Sequence, residues 1–271
     1  KENYFRIICP AFARVHNKSH ILRNLTQEVT FKDVTDNYAS LGIFGPNSRK
    51  FLNEVVGNFF SNEDFSFATG KYLSFANVKI WFQRLSFIGE LGWELYIPIK
   101  KSKIIFKIIQ TLGKKYNICY SGMHTLDILR LEKKFLHWGH DITSENNPIE
   151  AGLRFAVSLK KNQNFIGRQS IEKIISQPLK KSLELFSLKD FRYPGKPLLM
   201  HDEPIFFNDK IIGYSTSSNY SFNYKKNIFL AYVDNNYRMN NNLKIEIAGK
   251  QYGIKHEPKS LYDPEGKILR N

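Results

Sequence analysis

A carboxylate follows two closely spaced glycines in the middle of this chain. Residues 86–96 spell Ser-Phe-Ile-Gly-Glu-Leu-Gly-Trp-Glu-Leu-Tyr, with Gly89 and Gly92 ahead of Glu94. The glycines allow a tight turn whose backbone can approach a ligand closely, and Glu94 then begins a strand. A carboxylate in that place can accept two parallel N–H hydrogen bonds from a planar heterocycle. The same spacing also suits an ordinary hairpin turn with an exposed glutamate.

A second group of polar residues, His137, His140 and Asp141, has the types that bind metals. Histidines three residues apart share one face of a helix, so a metal site is one interpretation. Apart from the adjacent Asp141, the sequence places no further ligand near these two histidines. We therefore expect no metal here.

Charged residues also lie within a predicted helix over residues 124–135. Asp127 is expected to stabilise its first turn through the helix dipole. Arg130 and Glu132 are only two residues apart and cannot face each other on a helix. We expect buried ion pairs between these side chains and other elements.

Hydrophobic periodicity gives the elements that must position these residues. Strands are predicted over residues 38–44, 76–87 and 93–99, the last two as a hairpin-like unit. Helices are predicted after Gly45-Pro46, ending at Gly57, and over residues 101–112 and 124–135. The order β, α, β, β, α, α favours an α+β first domain over residues 1–177.

Beyond residue 177 the pattern changes to short strands separated by turns rich in Pro, Gly and Asn. These strands are predicted over residues 183–188, 204–207, 211–216, 228–233 and 243–247. No helix is expected there, and residues 178–271 are predicted to form a small all-β barrel or sandwich. The polar run 215–220 lacks the Gly-x-x-x-x-Gly-Lys pattern of a phosphate loop, so we expect a polar hairpin or barrel turn.

The charge and hydrophobicity of the chain indicate which classes of binding partner to expect. The net charge of +15 raises nucleic acid as a candidate, but lysines are spread as singles and pairs, without an RNP-type motif or zinc-finger spacing. We expect a solvated basic surface, no nucleic acid and no membrane, since Lys107 and Gln110 interrupt the longest apolar run. Cys9 and Cys119 are expected to be strand thiols in a reducing compartment. Residues 1–9 contain no starting Met and no signal-peptide pattern. We expect them to lie in the middle of a strand, and we expect the chain to be a fragment.

The segment 86–96 is similar to the pterin-site segment of the glycine cleavage T-protein and dimethylglycine dehydrogenase superfamily, usually Tyr, six residues, then Glu. Further similarity follows in family order at residues 41–49, 129–133, 137–142, 147–157 and 164–168. Residues 256–266 and Trp138-Gly139-His140-Asp141 resemble dimethylglycine and sarcosine dehydrogenases more than the T-protein, as does Leu126, where a T-protein would have Arg.

The resemblance implies an α+β fold, in which an aminomethyltransferase-like, folate-binding α/β domain precedes a small C-terminal β-barrel. It implies tetrahydrofolate as cofactor, with Glu94 binding the pterin and Leu95 and Tyr96 lining it. Phe87 occupies the family's Tyr position, and Phe155 matches an aromatic residue that stacks on folate. Without the family, Phe155 is equally an ordinary core Phe at a strand start.

The resemblance also implies a function for the intact protein. The chain would be the tetrahydrofolate-binding portion of a dimethylglycine or sarcosine dehydrogenase-like protein, forming 5,10-methylenetetrahydrofolate from the one-carbon unit of N-methyl amine oxidation. The family's acidic residue and the FAD half would precede Lys1, so this chain alone should not act as an oxidoreductase. The expected partners are folate, which can be polyglutamylated, and an FAD dehydrogenase domain in the same or a partner chain. The expected location is cytoplasmic, or the mitochondrial matrix in a eukaryote.

Two alternatives stay open. One is a glycine cleavage aminomethyltransferase that meets a lipoyl protein. The other is a non-catalytic folate-binding module, which would fit Phe87 and Phe155 in place of tyrosines and the absent acid.

Overall fold

The computed structural model describes residues 4–189 and 196–271. Its first part contains strands β1 (Tyr38–Phe44), β2 (Gly70–Phe75), β3 (Val78–Gln83) and β4 (Gly92–Pro98). Its helices are α1 (Arg14–Asn24), α2 (Ser48–Val56), α3 (Ser102–Gly113), α4 (Met123–Glu132) and α5 (Arg168–Ile175). The strands form one antiparallel sheet in the order β1-β4-β3-β2. Among the described residues, no helix has the length and apolar character needed to cross a membrane.

One face of this sheet carries the core of the first part. Along β3 and β4, every second side chain is apolar and points toward α2 and α3, as the two-residue period of a strand requires. Burial of each large apolar side chain contributes about 1.5–3 kcal/mol. The buried members of this core are Ile43, Phe51, Leu52, Phe60, Phe65, Phe75, Ile80, Phe82, Leu91, Trp93, Leu95, Ile97, Ile105 and Ile109.

The predicted elements of this part agree with the structure where apolar periodicity is strong. The strand predicted over 38–44 coincides with β1, and the helix predicted over 101–112 differs from α3 by one residue at each end. Helix α1 was not predicted because it has no buried residue and hence no apolar stripe.

The predicted N-terminal strand is wrong for the residues that are described. Residues 4–10 are irregular, while residues 1–3 lie outside the described part. The prediction that both cysteines are strand thiols is also wrong, since Cys9 and Cys119 are exposed and lie outside strands.

The second part is a closed barrel with the strand order β10-β5-β8-β7-β6-β9. Its strands are β5 (Lys181–Leu188), β6 (Pro204–Phe207), β7 (Lys210–Ser221), β8 (Lys226–Asp234), β9 (Leu243–Ile247) and β10 (Lys250–Glu257), and the short helix α6 (Lys267–Arg270) follows. Closure leaves no free strand edge. The run 215–220 is not a turn but part of β7, with a register shift between Ser215 and Ser217. Residue 178 stays our proposed domain boundary.

Helix α4 joins the two parts by packing on the outside of the barrel. Leu131 lies in one cluster with apolar side chains of β5 and β8. Both faces of β8 are therefore buried, one toward the barrel interior and the other under α4. This explains why its sequence, Ile-Phe-Leu-Ala-Tyr-Val, is continuously apolar rather than alternating.

Candidate functional site

The sheet face away from the core carries the predicted carboxylate. Glu94 and Tyr96 are half-buried on this face, and Glu94 is paired across the sheet with Gly42 and Gln83. Leu95 lies between them in sequence, so its side chain points to the opposite face, where it is fully buried in the core. The prediction that Leu95 lines the site is therefore wrong.

Glu94 is held in one orientation by its neighbour on the strand. The Tyr96 hydroxyl donates to Glu94 Oε2 at 2.6 Å. Burial, together with this hydrogen bond, raises the pKa of Tyr96 well above its usual range, so the hydroxyl keeps its proton at neutral pH. Within the described residues, Glu94 Oε1 accepts no hydrogen bond. One carboxylate oxygen is thus fixed and the other is available to a ligand.

Aromatic rings and one arginine lie on the same face of the sheet as this carboxylate. Trp81 lies opposite Tyr96 in the register, and Tyr72 lies opposite Trp81. The Arg6 guanidinium carbon is 5.2 Å from the centre of the Trp81 ring, and Arg6 donates to the Tyr72 hydroxyl at 2.8 Å. These contacts combine a cation with flat π faces, which suits a planar ligand.

A cavity of about 510 Å³ opens beside these rings. Arg6, Tyr72 and Trp81 line it together with Gln83, the cross-strand partner of Glu94. Its volume is within the range of small-molecule sites. The alternation along β3 places Trp81 on the face opposite Ile80 and Phe82. This pattern could have identified Trp81 as a candidate site residue from the sequence. No local pattern brings Arg6 to the sheet.

Phe87 lies in the turn before β4 and is half-buried. Its ring stacks on Phe135 at a centroid distance of 6.4 Å, so the turn is tied to the segment after α4. Gly89 has a φ of +83°, and a Cβ at this position would come within 2.9 Å of the Lys133 side chain. The glycine is therefore required by both conformation and space.

The other predicted aromatic residue, Phe155, is 86% exposed in a short 3₁₀ turn. This position excludes the interpretation of Phe155 as an ordinary core residue. The structure thus brings Glu94 and Tyr96 into contact, fixes Phe87 against Phe135, and leaves Phe155 on the surface.

A buried ion pair connects α4 to the barrel. Arg130 is 1% exposed and Asp141 is fully buried, and Arg130 Nη1 donates to Asp141 Oδ2 at 2.5 Å. Thr216 donates to the other Asp141 oxygen at 2.6 Å, and Arg130 donates to Ser217 at 2.7 Å. The expected ion pair of Arg130 is confirmed. Asp127, expected in the first helical turn, is the fifth residue of α4 and accepts a hydrogen bond from Arg130 instead.

Glu132 differs from its expected role, because its partners are neutral. It is 1% exposed and accepts hydrogen bonds from Ser221 at 2.6 Å and Asn223 at 2.8 Å. His137 and His140 lie in a loop with their rings stacked at 4.7 Å, not on one helix. Burial, and then the charge of His140, lower the pKa of His137. Among residues 4–189 and 196–271, no group of three or more metal-ligating side chains is placed to hold a metal.

Known proteins resemble the chain over most of its length. Human mitochondrial dimethylglycine dehydrogenase is 34% identical over 248 residues, which cover 90% of this chain and 28% of that protein. Human mitochondrial sarcosine dehydrogenase is 30% identical, covering 99% of this chain and 30% of that protein. An aminomethyltransferase of Listeria monocytogenes is 30% identical over 89% of this chain and 64% of its own length. The chain thus spans less than a third of the dehydrogenases it resembles.

The fold has a solved counterpart. The crystal structure of glycine cleavage system aminomethyltransferase T from Bartonella henselae superimposes with a TM-score of 0.72, at 19% identity, over 84% of this chain and 60% of that one. The family model of the GCVT N-terminal domain matches residues 1–161, and that of the glycine cleavage T-protein C-terminal barrel domain matches residues 187–263. The chain, an α+β domain followed by a closed six-stranded barrel, therefore belongs to the glycine cleavage T-protein family.

Proposed function

We propose that this chain is the tetrahydrofolate-binding portion of a dimethylglycine or sarcosine dehydrogenase-like protein. The observation that carries the proposal is the Glu94 carboxylate, held by Tyr96 on a sheet face where its cross-strand partner Gln83 lines a cavity with aromatic walls. The similarity to the human dehydrogenases along nearly the whole chain supports it. In the intact protein, the one-carbon unit from N-methyl amine oxidation would be captured as 5,10-methylenetetrahydrofolate.

The residues of the sheet face fit a pterin. Glu94 offers Oε1 and the remaining lone pair of Oε2 to two neighbouring N–H groups, and the Tyr96 hydroxyl fixes the plane of the carboxylate. Trp81 and Tyr72 supply flat apolar walls to the cavity on the same sheet face. When bound, tetrahydrofolate supplies the nucleophilic nitrogens that take up the one-carbon unit, and the protein orients the cofactor and excludes water.

Other parts of the proposal rest on the family alone. Phe87 and Phe155 are proposed as further folate contacts, and the acidic residue of the transfer step is proposed to precede Lys1. A flavin domain, in the same or a partner chain, would generate the one-carbon unit. The two human relatives are mitochondrial by name. We propose the mitochondrial matrix for a eukaryotic source and the cytoplasm otherwise.

Calorimetric titration with folinic acid tests the site. Glu94→Ala should weaken binding by about 1–3 kcal/mol, the range for a hydrogen bond to a charged group, which is roughly 5- to 150-fold in Kd. Glu246→Ala, on the barrel strand β9, makes the same chemical change away from the sheet and should leave Kd unchanged. An unaltered Kd in Glu94→Ala would remove Glu94 from the site.

A free-standing aminomethyltransferase of the glycine cleavage system is the second candidate. It is favoured by the Listeria monocytogenes protein, of which this chain spans a larger share than of the dehydrogenases. The coding sequence upstream of Lys1 separates the two. A flavin-binding domain directly upstream supports the dehydrogenase, whereas a short extension with only the missing part of the folate domain supports the aminomethyltransferase.

A further inference from the structure

A second cavity, of about 330 Å³, opens beside strands β5, β7 and β8 of the barrel. Its walls include Glu150, from the segment between α4 and α5, and the residues Lys181 and Asp234, which are partners in the β5–β8 register. The volume is at the lower end of the range for small-molecule sites. Among the described residues, this cavity shares no lining residue with the cavity beside Trp81. It is therefore separate from the proposed folate site.

Charged side chains of both signs line this cavity without pairing. Lys180 and Lys181 are the cations, and Glu150 and Asp234 are the anions. In the part of the chain that the structure describes, neither lysine nitrogen lies within 4.0 Å of a carboxylate oxygen. The Glu150 carboxylate accepts no hydrogen bond there, and Asp234 Oδ1 accepts one from the backbone N–H of Asn236 at 2.9 Å. Because the opposite charges do not reach one another, the space between them suits a molecule that carries both.

Two tyrosine rings form part of the same wall. Tyr214 and Tyr232 are partners in the β7–β8 register, and their ring centres are 5.9 Å apart. The Lys181 ammonium nitrogen lies 4.9 Å from the centre of the Tyr232 ring and 6.0 Å from that of the Tyr214 ring. This cation–π contact holds the lysine charge at the cavity but does not neutralise it.

The Tyr232 hydroxyl is a buried polar group without a partner. Tyr232 is 1% exposed, and its hydroxyl oxygen forms no hydrogen bond within the described part of the chain. Burial, followed by the nearby Tyr214 and Glu150, raises the pKa of Tyr232 well above its usual range, so the hydroxyl keeps its proton at neutral pH. Leaving such a donor unpaired costs free energy, which a ligand that accepts its hydrogen bond would recover.

We propose that this cavity binds a small zwitterion, an α-amino acid with an apolar side chain. Its carboxylate pairs with Lys181 and accepts a hydrogen bond from the Tyr232 hydroxyl, and its ammonium group pairs with Glu150. Its side chain packs against the Tyr214 ring. A simple anion or a simple cation would meet two charges of its own sign in the same cavity, so neither matches the lining as well as a molecule with both charges.

Calorimetry of the 271-residue chain tests the ligand class with three probes of the same shape. L-phenylalanine carries both charges, 3-phenylpropionate lacks the ammonium group, and phenethylamine lacks the carboxylate. L-phenylalanine should bind saturably, one to one, and about tenfold more tightly than either of the other probes, the effect of losing one charge-assisted hydrogen bond. Absence of saturable L-phenylalanine binding, or equal affinity for all three probes, would overturn the proposal.

Two variants assign the charges of the ligand to opposite walls. Lys181→Gln should abolish the preference for L-phenylalanine over phenethylamine, and Glu150→Gln should abolish the preference over 3-phenylpropionate. Lys250→Gln removes the same charge as Lys181→Gln from the exposed start of β10 and should change each Kd by less than about twofold. Equal weakening of L-phenylalanine binding by Lys181→Gln and Lys250→Gln would contradict the proposal, since that result indicates general charge attraction.

A third variant separates a binding role of Tyr232 from a structural one. Tyr232→Phe should weaken L-phenylalanine binding about fivefold, the effect of one neutral hydrogen bond. The urea midpoint followed by circular dichroism should not fall, because the hydroxyl has no hydrogen-bond partner in the protein to lose. An unchanged Kd would overturn the assignment of this hydroxyl to a ligand.

Discussion

Removal of the Asp141 carboxylate should be among the most damaging changes outside the hydrophobic core. The residue is fully buried and accepts hydrogen bonds from Arg130, from the Thr216 hydroxyl and from the backbone N–H of His137. Asp141→Ala leaves Arg130 buried without its closest counter-ion, and breaking such a pair typically costs about 3–5 kcal/mol. Asp127 remains 2.6 Å from Arg130, so we expect the lower end of this range, about 3 kcal/mol.

Asp141→Asn removes the negative charge but keeps groups that can form the same hydrogen bonds. The amide oxygen can accept from Arg130 and the His137 N–H, while the amide nitrogen can donate to the Thr216 hydroxyl oxygen. Only the charge is then lost. The free energy of unfolding should therefore fall by about 1–1.5 kcal/mol, which is the difference between charged and neutral hydrogen bonds.

Urea unfolding followed by circular dichroism measures both variants. Asp209→Asn makes the same chemical change in an exposed turn and should alter the free energy of unfolding by less than about 0.5 kcal/mol. A loss below about 1 kcal/mol for Asp141→Ala would refute the argument that this pair is a buried junction between α4 and the barrel.

Three other outcomes concern the turn before β4 and the barrel surface. Gly89→Ala should destabilise the protein by about 1–2 kcal/mol in urea, because φ is +83° and the new Cβ would lie 2.9 Å from the Lys133 side chain; an unchanged midpoint would contradict this. Tyr262→Phe removes the hydrogen bond that the Tyr262 hydroxyl donates to the Glu90 carboxylate in the same turn. The free energy of unfolding should fall by about 1 kcal/mol, and an unchanged value would show that this hydrogen bond does not stabilise the turn. Burial opposes ionisation of Glu184, but the hydrogen bond from His256 and nearby charge outweigh it and lower the pKa of Glu184 from 4.5 to about 2. Its ionised form therefore stabilises the fold fully above about pH 4.5, and this contribution is lost as the pH falls toward 2. Glu184→Gln should reduce the difference between urea midpoints at pH 7 and pH 3, and an equal difference in both proteins would exclude this role.

Elements with a strong local pattern could be predicted from the amino-acid sequence. Alternation along β3 and β4 and the apolar stripe of α3 predict their type and position, because the period of side chains within one element depends only on nearby residues. The segment 86–96 likewise indicated Glu94 as a candidate ligand for the pterin, a role that stays a prediction, since glycine spacing and a family motif are both local. The short strands after residue 177 indicated an all-β second part, although a barrel and a sandwich share that pattern.

Contacts between residues far apart in the sequence became known from the folded structure. It brought Arg6 to Trp81, and both Arg49 and Arg84 to Trp93, through contacts between separate elements. It also gave Arg130 its partner Asp141 and gave Glu132 neutral partners instead of the expected ion pair. These pairings depend on how α4 packs against the barrel and how the sheet faces are covered. Such long-range packing has no period within any single segment, which is why the residues alone did not reveal it.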